Sequence, residues 1–376
     1  MTGPRRGFSL VVVLVITTSL LFVAVAFTDA LLQAARAARL GWQGERATHD
    51  ADASLFEVLA AWNAMDAASL RIGESDTFRT TASPLLSRAV VRARLSARMF
   101  LLESSVNVRD GGLRAARRSI GRTVRLDWPH MPAQAALTIS GAVDIGSGAA
   151  VLGADAVPTG WNDECAVDAR STPVVAVTAR NATVHATATV SGDGVPIRLL
   201  TDSTRALLDA DIGFAIAQLA AKASATTADS VLSTNTLSAG PPGCPLWFGD
   251  ARRGALPVPV CTRRWPVVVA THPGTVRLTG DTPAQGVLVV LGDLHIDPGV
   301  VFNGIILVRG RVHIVVAAGE MPVSLAGAVL VQDRLNVGTA LSGLAVLQSS
   351  VCAGRFALAG VGAPHPVRQH GWSERP

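Results

Sequence analysis

The residues of this chain that could carry chemistry are two histidines in an internal repeat and four cysteines. His295 and His313 occupy the same position in two repeat units. On neighbouring parallel strands they would lie about 4.8 Å apart, a spacing that suits half of a metal site or a row of contacts to a glycan. The simpler interpretation, an exposed position duplicated with its repeat, is favoured. The sequence therefore predicts no metal site and no cofactor.

The four cysteines are Cys165, Cys244, Cys261 and Cys352. They include no Cys-x-x-Cys pair, and no histidine lies at a zinc-finger spacing from them, which argues against a structural zinc ion. An even number of cysteines in an exported chain favours disulfides, and three pairings are possible. We expect Cys244 to pair with Cys261 across a short loop rich in proline and glycine, which leaves Cys165 for Cys352. Four free thiols are the alternative.

No catalytic motif is evident. The chain contains no Gly-x-Ser-x-Gly, no His-Glu-x-x-His and no phosphate-binding glycine loop. Asp293 and Asp333 fall near turns of the repeat rather than as a spaced acidic pair, so the geometry of glycoside hydrolysis is not indicated. The net charge of +5 comes from scattered arginines without a basic run, which argues against a nucleic-acid partner. We expect no enzyme and no catalytic residue.

The N-terminus predicts a membrane span. Arg5, Arg6 and Gly7 precede an uncharged run from Phe8 to Thr28. These 21 residues would form a helix about 31 Å long, which matches the hydrocarbon thickness of a bilayer. One interpretation is a plain signal anchor, whose two arginines hold the N-terminus inside the cell.

The junction Arg-Arg-Gly-Phe-Ser-Leu resembles the signal of type IV prepilins. This resemblance implies that a prepilin peptidase cuts between Gly7 and Phe8, that Phe8 is methylated, and that the helix stays on the mature protein. Major pilins carry a glutamate at the fifth mature position, where this chain has Val12. That departure favours a tip, priming or merely anchored subunit over one in the filament body.

Helical character continues from Asp29 to about Ala68, without proline. Residues 44–55 resemble the segment after the anchor in PilX-like minor pilins, although Asp52 replaces the glutamate and Ser54 the glycine that this family prefers. The resemblance implies one long helix followed by a small antiparallel sheet. The residues beyond it predict a linker over 73–83, a hairpin over 88–108 and an arginine-rich helix or strand up to Asp127.

An internal repeat lies in the last third of the chain. Its units start 18 and 23 residues apart, and each reads as a strand, a turn and a second short strand. Such units stack to bury their apolar faces, which predicts a parallel β-helix with Ile296, Ile314 and Val337 in one inward column. The three units are 286–296, 304–314 and 327–337.

The predicted fold is therefore α+β, with a long transmembrane pilin-like helix and a mainly β ectodomain that contains a solenoid. The predicted segments are a leader (1–7), the membrane helix (8–68), a small pilin-like region (85–130), a first solenoid portion (134–170), an insertion with a helix at 201–223 (171–270), the solenoid repeats (271–360) and a disordered tail (361–376).

The predicted function is non-enzymatic. We expect a minor-pilin-like protein of the inner membrane, single-pass, with a periplasmic or pilus-associated C-terminal domain. Its partners would be other pilins, the pilus assembly machinery and the prepilin peptidase, and its work would be assembly, priming or surface contact. The alternative is an anchored β-helix that binds or cleaves envelope polysaccharide.

Overall fold

The computed structural model contains a long N-terminal helix, a small antiparallel sheet and two larger sheets of mostly parallel strands. The α+β class is therefore confirmed. The residues that the structure describes are 8–83, 86–96, 98–109, 115–133, 135–161, 165, 175–192, 195–235, 247–250, 264–333, 338–367 and 372–375.

Helix α1 (Phe8–Ala60) has 53 residues and is about 80 Å long. It begins with the uncharged run and continues without proline through the alanine-rich segment. By length and composition its first part can cross a membrane. The predicted extension to residue 68 is broken after Ala60, and a short helix α2 (Ala64–Ser69) follows.

The small sheet is antiparallel and follows the chain order of its first four strands. The predicted hairpin is confirmed, and the arginine-rich segment after it is a strand. The linker or turn predicted over 73–83 was wrong for residues 75–83, which form an edge strand whose threonines favour extended backbone and tolerate solvent. The strands are β1 (Ser75–Ser83), β2 (Leu86–Arg94), β3 (Met99–Arg109) and β4 (Ala115–Asp127).

The chain then enters the two larger sheets, which we call together the parallel body. The strands before the next helix are β5 (Ala135–Ile139), β6 (Ala142–Ile145), β7 (Ala150–Leu152), β8 (Val175–Ala179), β9 (Asn181–Val184), β10 (Thr189–Ser191) and β11 (Ile197–Leu199). Helix α3 (Asp202–Ala220) follows. After it come β12 (Ala225–Thr227), β13 (Val231–Ser233), β14 (Gly249–Asp250), β15 (Val267–Ala270), β16 (Thr275–Thr279), β17 (Ala284–Val290), β18 (Asp293–Ile296), β19 (Val301–Val308), β20 (Val312–Val315), β21 (Val323–Val331), β22 (Thr339–Ser342) and β23 (Ala345–Ser349).

From β15 to β22, successive strands alternate between the two sheets. The seven-stranded sheet has the order β13-β16-β18-β20-β22-β6-β9, with all neighbours parallel. In the twelve-stranded sheet one unbroken path of parallel pairs runs β12-β15-β17-β19-β21-β5-β8-β11. Both sheets therefore stack the strands that follow α3 directly onto strands that precede it.

Three glycines bend the long strands of the twelve-stranded sheet. Gly286, Gly304 and Gly327 pair in register, with φ angles of 138°, 142° and 140°. Only glycine adopts this backbone at low cost. At the third bend the sheet forks, because the first half of β21 pairs with β23 and its second half with β5.

The repeat forms the expected strands in its first two units, and Ile296 pairs with Ile314 as predicted. The third member of this column is Leu341 rather than Val337. Residue 337 lies outside the described residues, and the second strand of this unit begins only at Thr339. Seven residues separate β21 from β22, whereas two separate β17 from β18 and three separate β19 from β20, so equal spacing from the preceding glycine gave the wrong residue.

Helix α3 connects the two ends of the twelve-stranded sheet. From β11 to β12 there are seven strand spacings, about 34 Å in all, and 19 helical residues cover about 28 Å. The helix predicted at 201–223 is thereby confirmed. The remainder of the expected insertion at 171–270 is different: β8–β11 and β12–β13 are strands of the two sheets.

The C-terminal segment returns to the small sheet. After helix α4 (Val351–Ala359), strands β24 (Ala363–Pro366) and β25 (Trp372–Arg375) pair antiparallel with β4. The tail expected to be disordered therefore completes this sheet. In consequence the parallel body is inserted between β4 and β24, and it leaves and re-enters the small sheet at neighbouring strands.

Candidate functional site

The first half of α1 is an exposed apolar surface. Every described side chain from Leu10 to Trp42 is exposed, and Phe22 keeps 76% of its surface accessible. A soluble chain rarely leaves so large a contiguous apolar surface uncovered. The threonines in this stretch return their hydroxyls to the helix, as Thr17 does to the carbonyl of Val13 at 2.9 Å. Up to Thr28 the segment therefore presents almost only hydrocarbon to its surroundings, and Asp29, Gln33, Arg36 and Arg39 follow before Trp42.

The second half of α1 packs on the small sheet. Ala47, Ala51 and Leu55 are fully buried and share one core with the sheet. Their spacing of four residues puts them on one face of the helix, and the two alanines let the helix approach the strands closely. The boundary between the exposed and the packed half lies at Gln43, which is 8% exposed.

Polar contacts fix this packing. Asp50 Oδ1 lies 3.0 Å from Arg88 Nη2, and Asp52 Oδ1 lies 2.6 Å from Arg122 Nη2. Ser54 and Ser104 share a buried hydrogen bond of 2.7 Å between their hydroxyls. Asp52 and Ser54, the two departures from the minor-pilin pattern, thus each have a partner on the sheet.

The small sheet and the parallel body are joined through α4. Arg94 is buried, donates to the carbonyl oxygen of Leu70 at 2.7 Å and stacks on the ring of Phe356 at 5.2 Å. Phe356 also stacks on Trp265 of the parallel body, with ring centroids 5.4 Å apart. Nearby, burial first and the positive charge of Arg125 second lower the pKa of the Arg98 guanidinium, which lies over a tryptophan ring.

Of the predicted site residues, Cys165 and Cys352 form a disulfide, with Cα atoms 5.8 Å apart. This bridge connects residues 187 positions apart and links the chain before α3 to helix α4. Gly7, Cys244 and Cys261 lie outside the described residues, so the predicted cleavage junction and the short bridge stay predictions. Phe8 is the first residue of α1.

Sequence patterns gave no hint of a polar cluster beneath α3. Asp209 of the helix accepts a hydrogen bond from the hydroxyl of Ser140 at 3.1 Å and lies 3.3 Å from Gln332 Nε2. Arg205 donates to the carbonyl oxygen of Ser140 at 3.1 Å. Ser140 follows β5 and Gln332 follows β21, so the helix ties together the two strands at which the later part of the chain meets the earlier part.

The outer face of the seven-stranded sheet carries the histidine pair. His295 and His313 are directly paired, and their Nδ1 atoms lie 3.2 Å apart. Burial first, then the positive charges of His295 and Arg311, lower the pKa of His313. Among the described residues, no three His, Cys, Asp or Glu side chains form a metal-binding group.

The carboxylates of this face are engaged by arginines. The Nε–H of Arg277 donates a bifurcated hydrogen bond to the two carboxylate oxygens of Asp297, at 2.7 and 2.9 Å, and this contact raises the pKa of the guanidinium. Asp293 Oδ2 lies 3.2 Å from Arg311 Nε. Carboxylates paired in this way are poor candidates for the acid and the nucleophile of glycoside cleavage.

Comparison of the chain with protein-family models, with curated proteins and with solved structures found no match.

Proposed function

We propose that this chain is a membrane-anchored, minor-pilin-like protein without enzymatic activity. It works in the assembly, priming or surface contact of a type IV pilus or a related filament. Residues 8–28 cross the inner membrane once, and the rest of the chain lies on the periplasmic or extracellular side. A prepilin peptidase processes the chain, and other pilins and the assembly machinery are its partners.

The observation that carries this proposal is the division of α1 at Gln43. One continuous helix is exposed over its first half, which begins with the uncharged run up to Thr28, and its second half packs on the small antiparallel sheet. A plain signal anchor needs only the first half, because it has no reason to continue as one rigid rod into the folded domain. A filament subunit needs both, since the rod transmits the position of its anchor to its domain.

Val12 restricts the role within a filament. It stands at the position where major pilins carry a glutamate that neutralises the N-terminal amine of a neighbour, and an apolar side chain offers that amine no partner. A subunit at the tip has no pilin ahead of it and does not need this carboxylate. A priming or tip position therefore fits Val12 better than a place in the filament body.

In this proposal the parallel body is the domain that projects from the membrane. We propose that its two sheets are faces of one solenoid, in which the bends at Gly286, Gly304 and Gly327 form a corner. The alternation of successive strands between the sheets and the in-register glycine ladder support this interpretation. Because the body is inserted between β4 and β24, it is held by two chain connections and is well suited to displaying a rigid surface.

Filament counts test the proposal. Cells that lack the chain are complemented with the wild type, with Gly7→Arg, which blocks the processing junction, or with Gly3→Arg, which places the same charge elsewhere in the leader. Surface filaments are then counted by electron microscopy, and the level of each protein is checked by immunoblot.

We expect deletion to reduce the number of filaments, and the wild type and Gly3→Arg to restore it. Gly7→Arg should accumulate in the membrane without restoring filaments. Unchanged filament number after deletion, or full restoration by Gly7→Arg, would contradict the proposal.

A further inference from the structure

The histidine pair on the outer face of the seven-stranded sheet has the dimensions of a chelate. In a tetrahedral zinc site with Zn–N distances of 2.0–2.1 Å, two nitrogen ligands lie roughly 3.3 Å apart. The Nδ1 atoms of His295 and His313 lie 3.2 Å apart. We propose that these two nitrogens bind one divalent transition-metal ion, a function independent of the role of the membrane helix.

Asp297 prepares His295 for this role. Its Oδ1 lies 3.3 Å from Nε2 of His295, so the carboxylate favours the tautomer that carries the proton on Nε2. Nδ1 then has a free lone pair that points toward His313. Histidines that ligate metals commonly donate their other ring N–H to a carboxylate in this way, which fixes the tautomer and makes the ligand more basic.

The arginines beside the pair are balanced by carboxylates. Arg277, which pairs with His295 on the preceding strand, contacts Asp297, and Arg311 contacts Asp293. His313 binds a metal ion only in its neutral form. In the ion-free protein its Nδ1–H can donate to His295, and moving that proton to Nε2 frees the second lone pair.

The next residue of the same row is small. Ala340 pairs with His313 on the following strand, and His313 itself is exposed. Water fills the remaining coordination positions, since no third side chain completes a group among the described residues. Two imidazoles suit Zn²⁺, Ni²⁺ and Cu²⁺. In the usual affinity order Cu²⁺ is the ion that such a site binds most tightly.

The experiment uses the full chain, purified in detergent micelles, stripped with EDTA and titrated with Zn²⁺ by calorimetry and with Cu²⁺ by electron paramagnetic resonance. The variants are His295→Gln and His313→Gln. The matched control is His185→Gln, a histidine of the same region that lies 3.1 Å from Asp144 instead of another imidazole. Circular dichroism verifies that each variant is folded.

We expect one ion per chain, a Cu²⁺ spectrum with coupling to two nitrogens, and loss of at least tenfold in affinity in both pair variants but not in the control. Asp297→Asn, which removes the positioning carboxylate, should weaken binding by about tenfold. The proposal is overturned if the wild type binds no ion, or if either pair variant loses less than tenfold in affinity.

Discussion

The carbonyl oxygen of Gly286 occupies the space that a Cβ atom on Gly304 would need. The same relation recurs on the next strand, where the carbonyl oxygen of Gly304 blocks a side chain on Gly327. Because each glycine has no Cβ atom, the backbone of the neighbouring strand can lie close to it at the point where its own strand bends. The glycine that opens each repeat unit in the sequence is the residue on which the bend of the twelve-stranded sheet depends.

Substituting the middle glycine should therefore be costly. Gly304→Ala combines a steric overlap with a φ of 142°, and we expect the free energy of unfolding to fall by about 3 kcal/mol. Gly319→Ala is the matched control: its φ is 89° and no atom lies within 4 Å of the added methyl group, so only backbone strain of about 1–2 kcal/mol applies. Urea unfolding in detergent measures the free energy of unfolding of both variants. Equal losses in the two would show that the close approach of the neighbouring strand does not contribute.

The inward column of the seven-stranded sheet gives a second prediction. Ile314 is fully buried between Ile296 and Leu341, whereas Val315, one residue later, is 42% exposed. Ile314→Asp buries an unpaired charge and should cost several kcal/mol. Val315→Asp should change stability by no more than about 0.5 kcal/mol. The reverse order in thermal unfolding would mean that the two faces of β20 are exchanged, as a one-residue register slip produces.

The disulfide between Cys165 and Cys352 should contribute strongly to stability. It closes a loop of 187 residues, for which the chain-entropy model gives about 5 kcal/mol. The double variant Cys165→Ala/Cys352→Ala should unfold at much lower denaturant concentration. Cys244→Ala/Cys261→Ala, which removes the predicted short bridge, should lose only about 3 kcal/mol. Non-reducing peptide mapping decides the pairing, and cross-paired peptides would contradict both expectations.

Stability should fall in mild acid because of His313. Its pKa in the folded protein lies below the ordinary 6.5, through burial and through the charges of His295 and Arg311, with Arg277, Asp293 and Asp297 around it. The unfolded chain then binds more protons below about pH 6.5, so the free energy of unfolding decreases as pH falls through that window. With EDTA present, His313→Gln should lose less stability than the wild type between about pH 7.5 and 5.5. An equally steep decline in both proteins would exclude this origin.

Parts of the fold that have a local sequence pattern were predictable. The uncharged run predicted the start of α1. The repeat predicted β17–β20, because every unit carries its own glycine and its own apolar alternation. The pairing of Ile296 with Ile314 followed from this phase alone. Leu341 did not, since more residues separate β21 from β22 than separate the strands of the other units, and sequence periodicity carries no information about the length of a connection.

Features that depend on distant pairing were not predictable. Strands such as Ile197–Leu199 and Ala225–Thr227 have three residues each, too few to show a period, and they are strands only because β8 and β15 lie beside them. The same holds for Ala363–Pro366, which pairs with β4 across the whole parallel body. The cluster of Ser140, Asp209 and Gln332 joins three separate parts of the chain, so its members look like ordinary polar residues in the sequence.

The most direct test of the proposed function is the intact mass of the protein extracted from membranes that contain a prepilin peptidase. The proposal predicts a chain that begins at Phe8 and carries one additional methyl group, while Gly7→Arg retains the seven-residue leader. A wild-type chain that keeps residues 1–7, or one cut after Ala24 or Ala26, would contradict it.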